Sequence, residues 1–361
     1  RGYVIKLSGI GDPVEIRTLK TADTKPSELD VILDDQGIDS FMDKISKSID
    51  QETVDATITF DGEKVSQFTP ARDGQKLDKQ LTKSVVLEKI SIDSPSSDKN
   101  IAINLPVDVK RAKIANEEIN SLGIKDLIGR GVSYFAGSIP NRVHNLTLGS
   151  RRVSGTIIAP SESFSFNSAL GEVSNETGYR PAYVISAGRT VLDDGGGVCQ
   201  VSTTVFRAAL NSGLPIVTRT AHAYRVGYYE QNGFKAGYDA TVWAPAVDLI
   251  FKNDTEHHIL IQAVVDTYDS RLQVDIYGTN DDRAVKLGQP VLSNIKPAPE
   301  AKYQDDPSLP RGAVKQVDFA AQGATSVFTR KVYTGNKLII DESFKSVYRP
   351  WQAVYLVGTG G

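Results

Sequence analysis

A single cysteine, Cys199, stands in a chain of 361 residues. That count excludes an intramolecular disulfide framework and any cysteine-rich zinc site, so hydrophobic cores alone must hold the fold. At this length one ordinary core does not suffice, and two or three domains are expected. The composition agrees, with 40% hydrophobic and 24% charged residues, as in folded globular domains. The 41 basic and 44 acidic residues leave a formal net charge of −3. A nucleic-acid partner would call for a basic excess, so none is expected. No stretch reaches the roughly 20 apolar residues of a bilayer-spanning helix. Arg1 opens what reads as mid-strand, so the chain is expected to be a piece of a longer protein whose upstream anchor would be its only tie to a membrane.

Residues 1–115 read as α+β. Short strands are expected at Tyr3–Leu7, Val14–Arg17, Val31–Leu33, Ala56–Phe60 and Ile101–Val107. Helices are expected at Ile38–Ile49, with Ile38, Phe41, Ile45 and Ile49 on one face, and at Leu77–Leu87, with Leu77, Leu81 and Val85. The polar run Asp93–Asn100 suits a surface loop. Residues 116–131 read as a charged, helical connector, and a Gly-, Ser- and aromatic-rich block fills 132–280. Asn280-Asp281-Asp282-Arg283 opens a polar linker. Beyond it, 281–361 alternates short strands with turns, at Pro290-Val291, Ala313–Asp318, Thr325–Val332, Lys337–Asp341 and Gln352–Val357. The fold class is therefore multidomain α+β, with α+β modules at 1–115 and 132–280 and a small all-β module at the C-terminus.

The chemistry concentrates where the one thiol lies. Gly195-Gly196-Gly197-Val198-Cys199-Gln200 precedes Val201, Val205, Ala208 and Ala209 at helical spacing, and Asn211-Ser212-Gly213 is a stop signal. Cys199 is thus expected at a helix N-terminus, behind glycines that let backbone approach a ligand. The partial positive charge and free N–H groups there favour a thiolate and can hold an oxyanion. A thiol of ordinary pKa, about 8.5, needs such activation to be a nucleophile at neutral pH. His222, in Arg219-Thr220-Ala221-His222, is the first candidate base. The alternative is that Cys199 is simply a small buried hydrophobe. His257 and His258 follow a hairpin-turn sequence, Asn253-Asp254-Thr255-Glu256, and His144 lies in a polar stretch. No metal-ligand spacing, phosphate loop or dinucleotide fingerprint is present, so neither a metal nor a cofactor is expected.

Several motifs carry a family resemblance. Ser161-Glu162-Ser163-Phe164-Ser165-Phe166-Asn167, Gly178-Tyr179-Arg180-Pro181-Ala182, the Gly-Gly-Gly-Val-Cys-Gln run, Arg219 with His222, Tyr238-Asp239-Ala240-Thr241-Val242 and Asp248-Leu249-Ile250-Phe251-Lys252-Asn253 resemble the VanW domain, over about 132–278. Asp55-Ala56, Gly62, Gly74 and Leu77-Asp78 resemble, more diffusely, the peptidoglycan-binding module that often precedes such domains. Gly312-Ala313-Val314, Gly323, Gly335 and Ser346-Val347-Tyr348-Arg349-Pro350 are similar to the G-five domain of wall-associated proteins. The family is named after a vancomycin-type resistance cluster. The resemblance implies an extracytoplasmic, wall-facing protein whose partners are peptidoglycan stem peptides and glycan. It also implies a cysteine-dependent L,D-transpeptidase: the thiolate attacks the carbonyl of the diamino acid at the third stem position, expels D-alanine, and forms a thioester that an amine or water resolves.

On that resemblance Cys199 is the nucleophile, His222 the base, and Asp239 an orienter or substrate contact. Gly197 and Gln200 would shape the oxyanion environment. Arg219 or Arg225 would meet a stem-peptide carboxylate, and Tyr228 would line a groove, or else pack in the core beside Tyr229. Asp248 and Asn253 read as fixing backbone geometry. Residues 229–235 look like a lid or hairpin tip. The rival readings are a non-catalytic wall-binding scaffold, an L,D-carboxypeptidase and a cysteine peptidase trimming the same stems.

Overall fold

The computed structural model describes residues 4–6, 14–15, 32–33, 35–60, 65–69, 71–93, 102–112, 122–186 and 189–360. The chain divides into two compact units, Arg1–Ala56 with Thr69–Ile119, and Thr57–Phe68 with Asn120–Gly361.

In the first unit, helices Asp35–Ile49 and Lys79–Asp93 accompany three antiparallel strand pairs among the described residues: Val4–Lys6 with Ala102–Asn104, Val14–Glu15 with Ile32–Leu33, and Gly74–Leu77 with Val107–Lys110. Met42, Ile49, Leu77, Val86, Ile103 and Leu105 form its core. The helix expected from Leu77 instead begins at Lys79, because Leu77 completes a strand and the Asp78 carboxylate accepts the Leu81 N–H at 2.9 Å. The expected face turns with it: Leu81 is exposed, while Thr82 and Val86 are buried. Residues 94–100 and 113–121, parts of the expected loop and connector, lie outside the described residues.

The second unit is organised by one buried helix, Val198–Asn211. It lies against an antiparallel sheet of order Ile157–Ile158, Ile259–Asp266, Arg271–Gly278 and Asp126–Tyr134. The end of the expected helical connector is therefore a strand. Gly129 and Gly131 explain why: two residues apart, they share one face. A Cβ on Gly131 would sit 2.2 Å from the Thr204 carbonyl oxygen, so the helix can approach only a bare backbone. A second sheet pairs Ile250–Lys252 with Ser163–Ser165 and Ile216–Thr218. Helix Pro140–Val153 packs against strand Ile259–Asp266 and the buried helix, opening with proline at its first position. As expected, Asp248 and Asn253 hold backbone. Asp248 accepts from Ser165 Oγ and the Asn167 N–H, and Asn253 donates to the Ile158 and His257 carbonyls.

The C-terminal strands belong to this same compact unit. Gly323–Thr334 pairs with Lys337–Tyr348 along one edge and with Arg283–Leu287 and Val291–Lys296 on the other. A three-stranded sheet joins Val354–Gly360 to Lys302–Pro310, in parallel, and to Val314–Asp318. Two strands, Arg283–Leu287 and Lys302–Pro310, were not anticipated. The expected linker is not free either, since Arg283 donates to Asp281, Asp254 and the Gly213 carbonyl.

Candidate active site

The turn Gly195-Gly196-Gly197 leads from strand Arg189–Asp194 into the buried helix, with Gly197 as its N-cap at φ 114°. A side chain there would be strained and would also strike the backbone of the neighbouring helix, since a Cβ would lie 2.8 Å from the Arg142 carbonyl oxygen. Asn145 fastens the turn by donating to the Gly196 and Arg180 carbonyls. The glycines therefore serve a helix–turn approach, a task other than the oxyanion environment expected of Gly197. The Gln200 side chain, expected to share that environment, is engaged elsewhere. Its carboxamide is buried and donates to Ser133 Oγ and the Tyr134 carbonyl, while its backbone N–H is spent on the Gly197 carbonyl.

Cys199 is the second residue of the helix, and its thiol is partly buried. Val198 and Gln200 direct their N–H groups to the Gly195 and Gly197 carbonyls. Among the described residues no such bond is made by the Cys199 N–H, which leaves it as a donor at the positive end of the helix dipole. The sulfur lies 3.6 Å from Thr241 Oγ1 and 3.6 Å from the Val242 carbonyl oxygen.

The remaining groups arrive on two chain segments tied by an antiparallel bridge, Thr220 with Thr241. That bridge sets Arg219 and His222 beside Asp239. The Asp239 carboxylate accepts the His222 N–H at 2.9 Å and His222 Nδ1 at 2.6 Å on one oxygen. Its other oxygen accepts from Arg219 at 3.3 Å and from the Tyr348 hydroxyl. With Nδ1 engaged, His222 Nε2 is the nitrogen free to serve the thiol. Tyr229 packs on the imidazole, 4.9 Å between ring centroids, with its hydroxyl 3.4 Å from Nε2.

The electrostatics follow from these contacts. Burial would raise the Cys199 pKa, but hydrogen bonding and charge from His222 outweigh it and lower it. Burial would lower His222, but Asp239 and the thiol raise it to about 9. Burial likewise opposes the Asp239 charge, yet His222 and Arg219 hold its pKa far below the ordinary carboxylate range. The three shifts favour one state, a thiolate beside an imidazolium beside a carboxylate.

Sequence-expected Cys199, His222 and Asp239 are thus brought together. The two expected carboxylate receptors both have carboxylate partners within the protein. Arg219 is buried and donates to the Asp239 and Gly237 carbonyls as well as to the Asp239 side chain. Arg225 makes a fork-like pair with Glu230, at 2.9 and 2.5 Å. Tyr228 is partly buried beneath the Arg142 guanidinium, 3.9 Å away. The expected lid is a 3-10 segment, Gly227–Gly233, pinned by Arg207 to the Tyr229 carbonyl and by Gln231 to the Ala136 carbonyl. His144 bonds the Gly178 carbonyl and takes no part in the site.

Sequence reasoning missed Tyr348, which arrives 109 residues after Asp239 from the C-terminal strands. Its neighbours hold the same loop: the Arg349 N–H donates to the Ala223 carbonyl and Trp351 stacks on Tyr224 at 4.3 Å. Thr241, inside a quoted motif, was not singled out either. Among the described residues no His, Cys, Asp and Glu cluster could hold a metal, and no helix is long and apolar enough to cross a membrane.

Parts of the chain have faint counterparts among solved structures. The IgA1 protease G5 domain is matched over its whole length and 23% of this chain, at 16% identity and a TM-score of 0.14. HP0197-G5 is matched over 97% of its length, at 18% identity and a TM-score of 0.11. Among curated proteins, Uncharacterized protein YoaR of Bacillus subtilis is 29% identical over 268 residues, covering 73% of this chain and 83% of YoaR. Vancomycin B-type resistance protein VanW of Enterococcus faecalis is 28% identical over 145 residues, covering 40% of this chain and 52% of that protein. Two family models match in succession: the one described as "Putative peptidoglycan binding domain" over residues 5–99, and VanW like protein over residues 141–277, the span that holds Cys199, His222 and Asp239.

Proposed function

We propose that this is a cell-wall-associated cysteine acyltransferase, an L,D-transpeptidase acting on peptidoglycan stem peptides outside the cytoplasm. The observation that carries the reading is the Cys199–His222–Asp239 constellation at a helix N-terminus. The peptidoglycan-binding and VanW matches support peptidoglycan as a partner and a location at the wall.

In this mechanism the Cys199 thiolate adds to the carbonyl carbon of the third stem residue, and the oxygen takes up the negative charge. The Cys199 N–H and the helix dipole stabilise that oxyanion. The carbon–nitrogen bond to the terminal D-alanine then breaks, with His222 giving its proton to the leaving amine. A thioester remains. An amine of a second stem attacks it, His222 takes the amine proton, and collapse expels the thiolate and leaves an amide cross-link. Asp239 holds the imidazole in the required tautomer throughout. Water in place of the amine would make the same site a carboxypeptidase.

Incubation with disaccharide-tetrapeptides tests the reading. Release of D-alanine with linked dimers supports the transpeptidase, and tripeptide without dimers supports the carboxypeptidase. Binding to peptidoglycan with no D-alanine from any tetrapeptide would favour the scaffold.

A further inference from the structure

Arg142 differs from the arginines already assigned. It stands in the first turn of helix Pro140–Val153, and its Cγ lies 3.3 Å from where a Gly197 Cβ would be, so its side chain leaves beside the turn that starts the Cys199 helix. Its guanidinium stacks on Tyr228, 3.9 Å from the ring centroid, and Nη1 donates to Ser138 Oγ at 2.8 Å. Those contacts fix the plane of the cation and leave most of its N–H donors unused. Among the described residues it has no carboxylate partner within salt-bridge distance, unlike Arg219 and Arg225. Burial lowers its pKa, opposed by its neighbours Tyr229, Tyr228 and Cys199. A cation partly stripped of water, held flat beside the turn that opens the Cys199 helix and lacking a carboxylate counter-ion, has the chemistry of an anion receptor.

We infer that Arg142 binds the C-terminal carboxylate of the acyl donor, the one on the residue that leaves. A carboxylate one residue beyond the attacked carbonyl distinguishes a chain-terminal peptide bond from an internal one. Arg142 would then confine the reaction to the last bond of a peptide with a free C-terminus. The inference rests on the proposed acyl transfer for the donor's identity, whereas the anion site itself does not depend on turnover.

Alkylation of Cys199 reads the anion site directly. Iodoacetate and iodoacetamide both need the thiolate, but only iodoacetate carries a carboxylate, so their rate ratio reports the local receptor. In Arg142→Gln the ratio of iodoacetate to iodoacetamide rates should fall roughly tenfold, the worth of one charged hydrogen-bonding partner, and Arg142→Lys should restore part of it. In the wild-type protein, N-acetyl-D-alanine should slow iodoacetamide while N-acetyl-D-alaninamide should not, a measurement that needs no variant. An unchanged ratio in Arg142→Gln would overturn the inference, even if both rates fell together, because Arg142 would then serve only the thiolate. Equal protection by the acid and the amide would overturn it too. With tetrapeptide donors, Arg142→Gln should raise KM more than it lowers kcat and should lose preference for the free acid over the C-terminal amide. A wild-type protein that turns over neither donor, yet shows the alkylation ratio and the selective protection, would remove the proposed enzyme function and leave the anion site standing.

Discussion

The two ends of the Val198–Asn211 helix are treated in opposite ways. At its C-terminus the last carbonyls are closed off. Arg330, fully buried, donates to the Ala209, Leu210 and Leu214 carbonyls and to Glu342 at 2.6 Å. At its N-terminus Gly197 offers no side-chain cap, and the Cys199 N–H is left as a donor. A helix end withdrawn from water without partners is costly, so the open end calls for a negative group, and the thiolate is the one at hand. The sealed end gives the helix a fixed axial position. Both ends depend on the C-terminal strands, which supply Arg330 at one and, through Asp239, Tyr348 at the other.

Replacement of the nucleophile should have the largest effect. Cys199→Ala should lower D-alanine release by on the order of 10⁴-fold or more while leaving thermal unfolding nearly unchanged, since only a small, partly buried side chain is lost. A variant with residual turnover would move the chemistry to another group. Next comes Asp239→Asn, expected to cost about 10³-fold to 10⁴-fold in kcat, as loss of a triad carboxylate does, and to reshape the pH profile of thiol alkylation. A lowered thiol pKa means the thiolate persists to lower pH than that of an ordinary thiol and disappears as pH falls through that lowered value. A raised His222 means the imidazolium persists until pH rises through about 9. The wild-type rate should therefore stay flat between the lowered thiol value and about 9 and change above it. Without the carboxylate His222 loses its main support, so the thiolate limb should move up in pH and the rate at pH 7 should fall. An unmoved limb would show that Asp239 does not act through His222.

Breaking the sealed end should act on stability and not on chemistry. Arg330→Met should cost about 3–5 kcal/mol in denaturant unfolding, because Glu342 and three carbonyls lose their donor. Measured below its transition, the variant should alkylate at the wild-type rate. A smaller effect is expected for Tyr348→Phe, roughly 1.5–3 kcal/mol for one hydrogen bond to a carboxylate, read as a change in the alkylation profile together with stability. If stability falls and the profile does not move, Tyr348 merely fills space. Smallest of all should be Arg225→Ala. The Arg225–Glu230 pair retains 24% and 22% side-chain exposure, so about 0–1 kcal/mol is expected, with no change at the thiol. A large loss of activity there would restore Arg225 as a substrate receptor.

How much was readable from the chain depended on the range of the interaction. The helix after Cys199 was legible because Val201, Val205, Ala208 and Ala209 repeat at helical spacing and Gly213 stops it. The strand at Asp126–Tyr134 was misread because its charged residues suggested a solvated helix, although Gly129 and Gly131 at a spacing of two carried the signal. No local pattern tells a guanidinium spent on an internal carboxylate from one left open, and Arg219, Arg225 and Arg142 differ only in what the fold sets beside them.

The sequence by itself determined where the one thiol lies, the helix end that carries it and which residue types could stand beside it, because those follow from composition and from spacing within one turn of helix. Tertiary structure decided the rest. The Thr220–Thr241 bridge places Asp239 on His222, Tyr348 reaches the same carboxylate from 109 residues away, and Arg330 closes the far end of the helix. Hydrogen bonds and charge pairs of that kind act over a few ångströms of space without regard to distance along the chain, so only the folded arrangement could reveal which polar groups met.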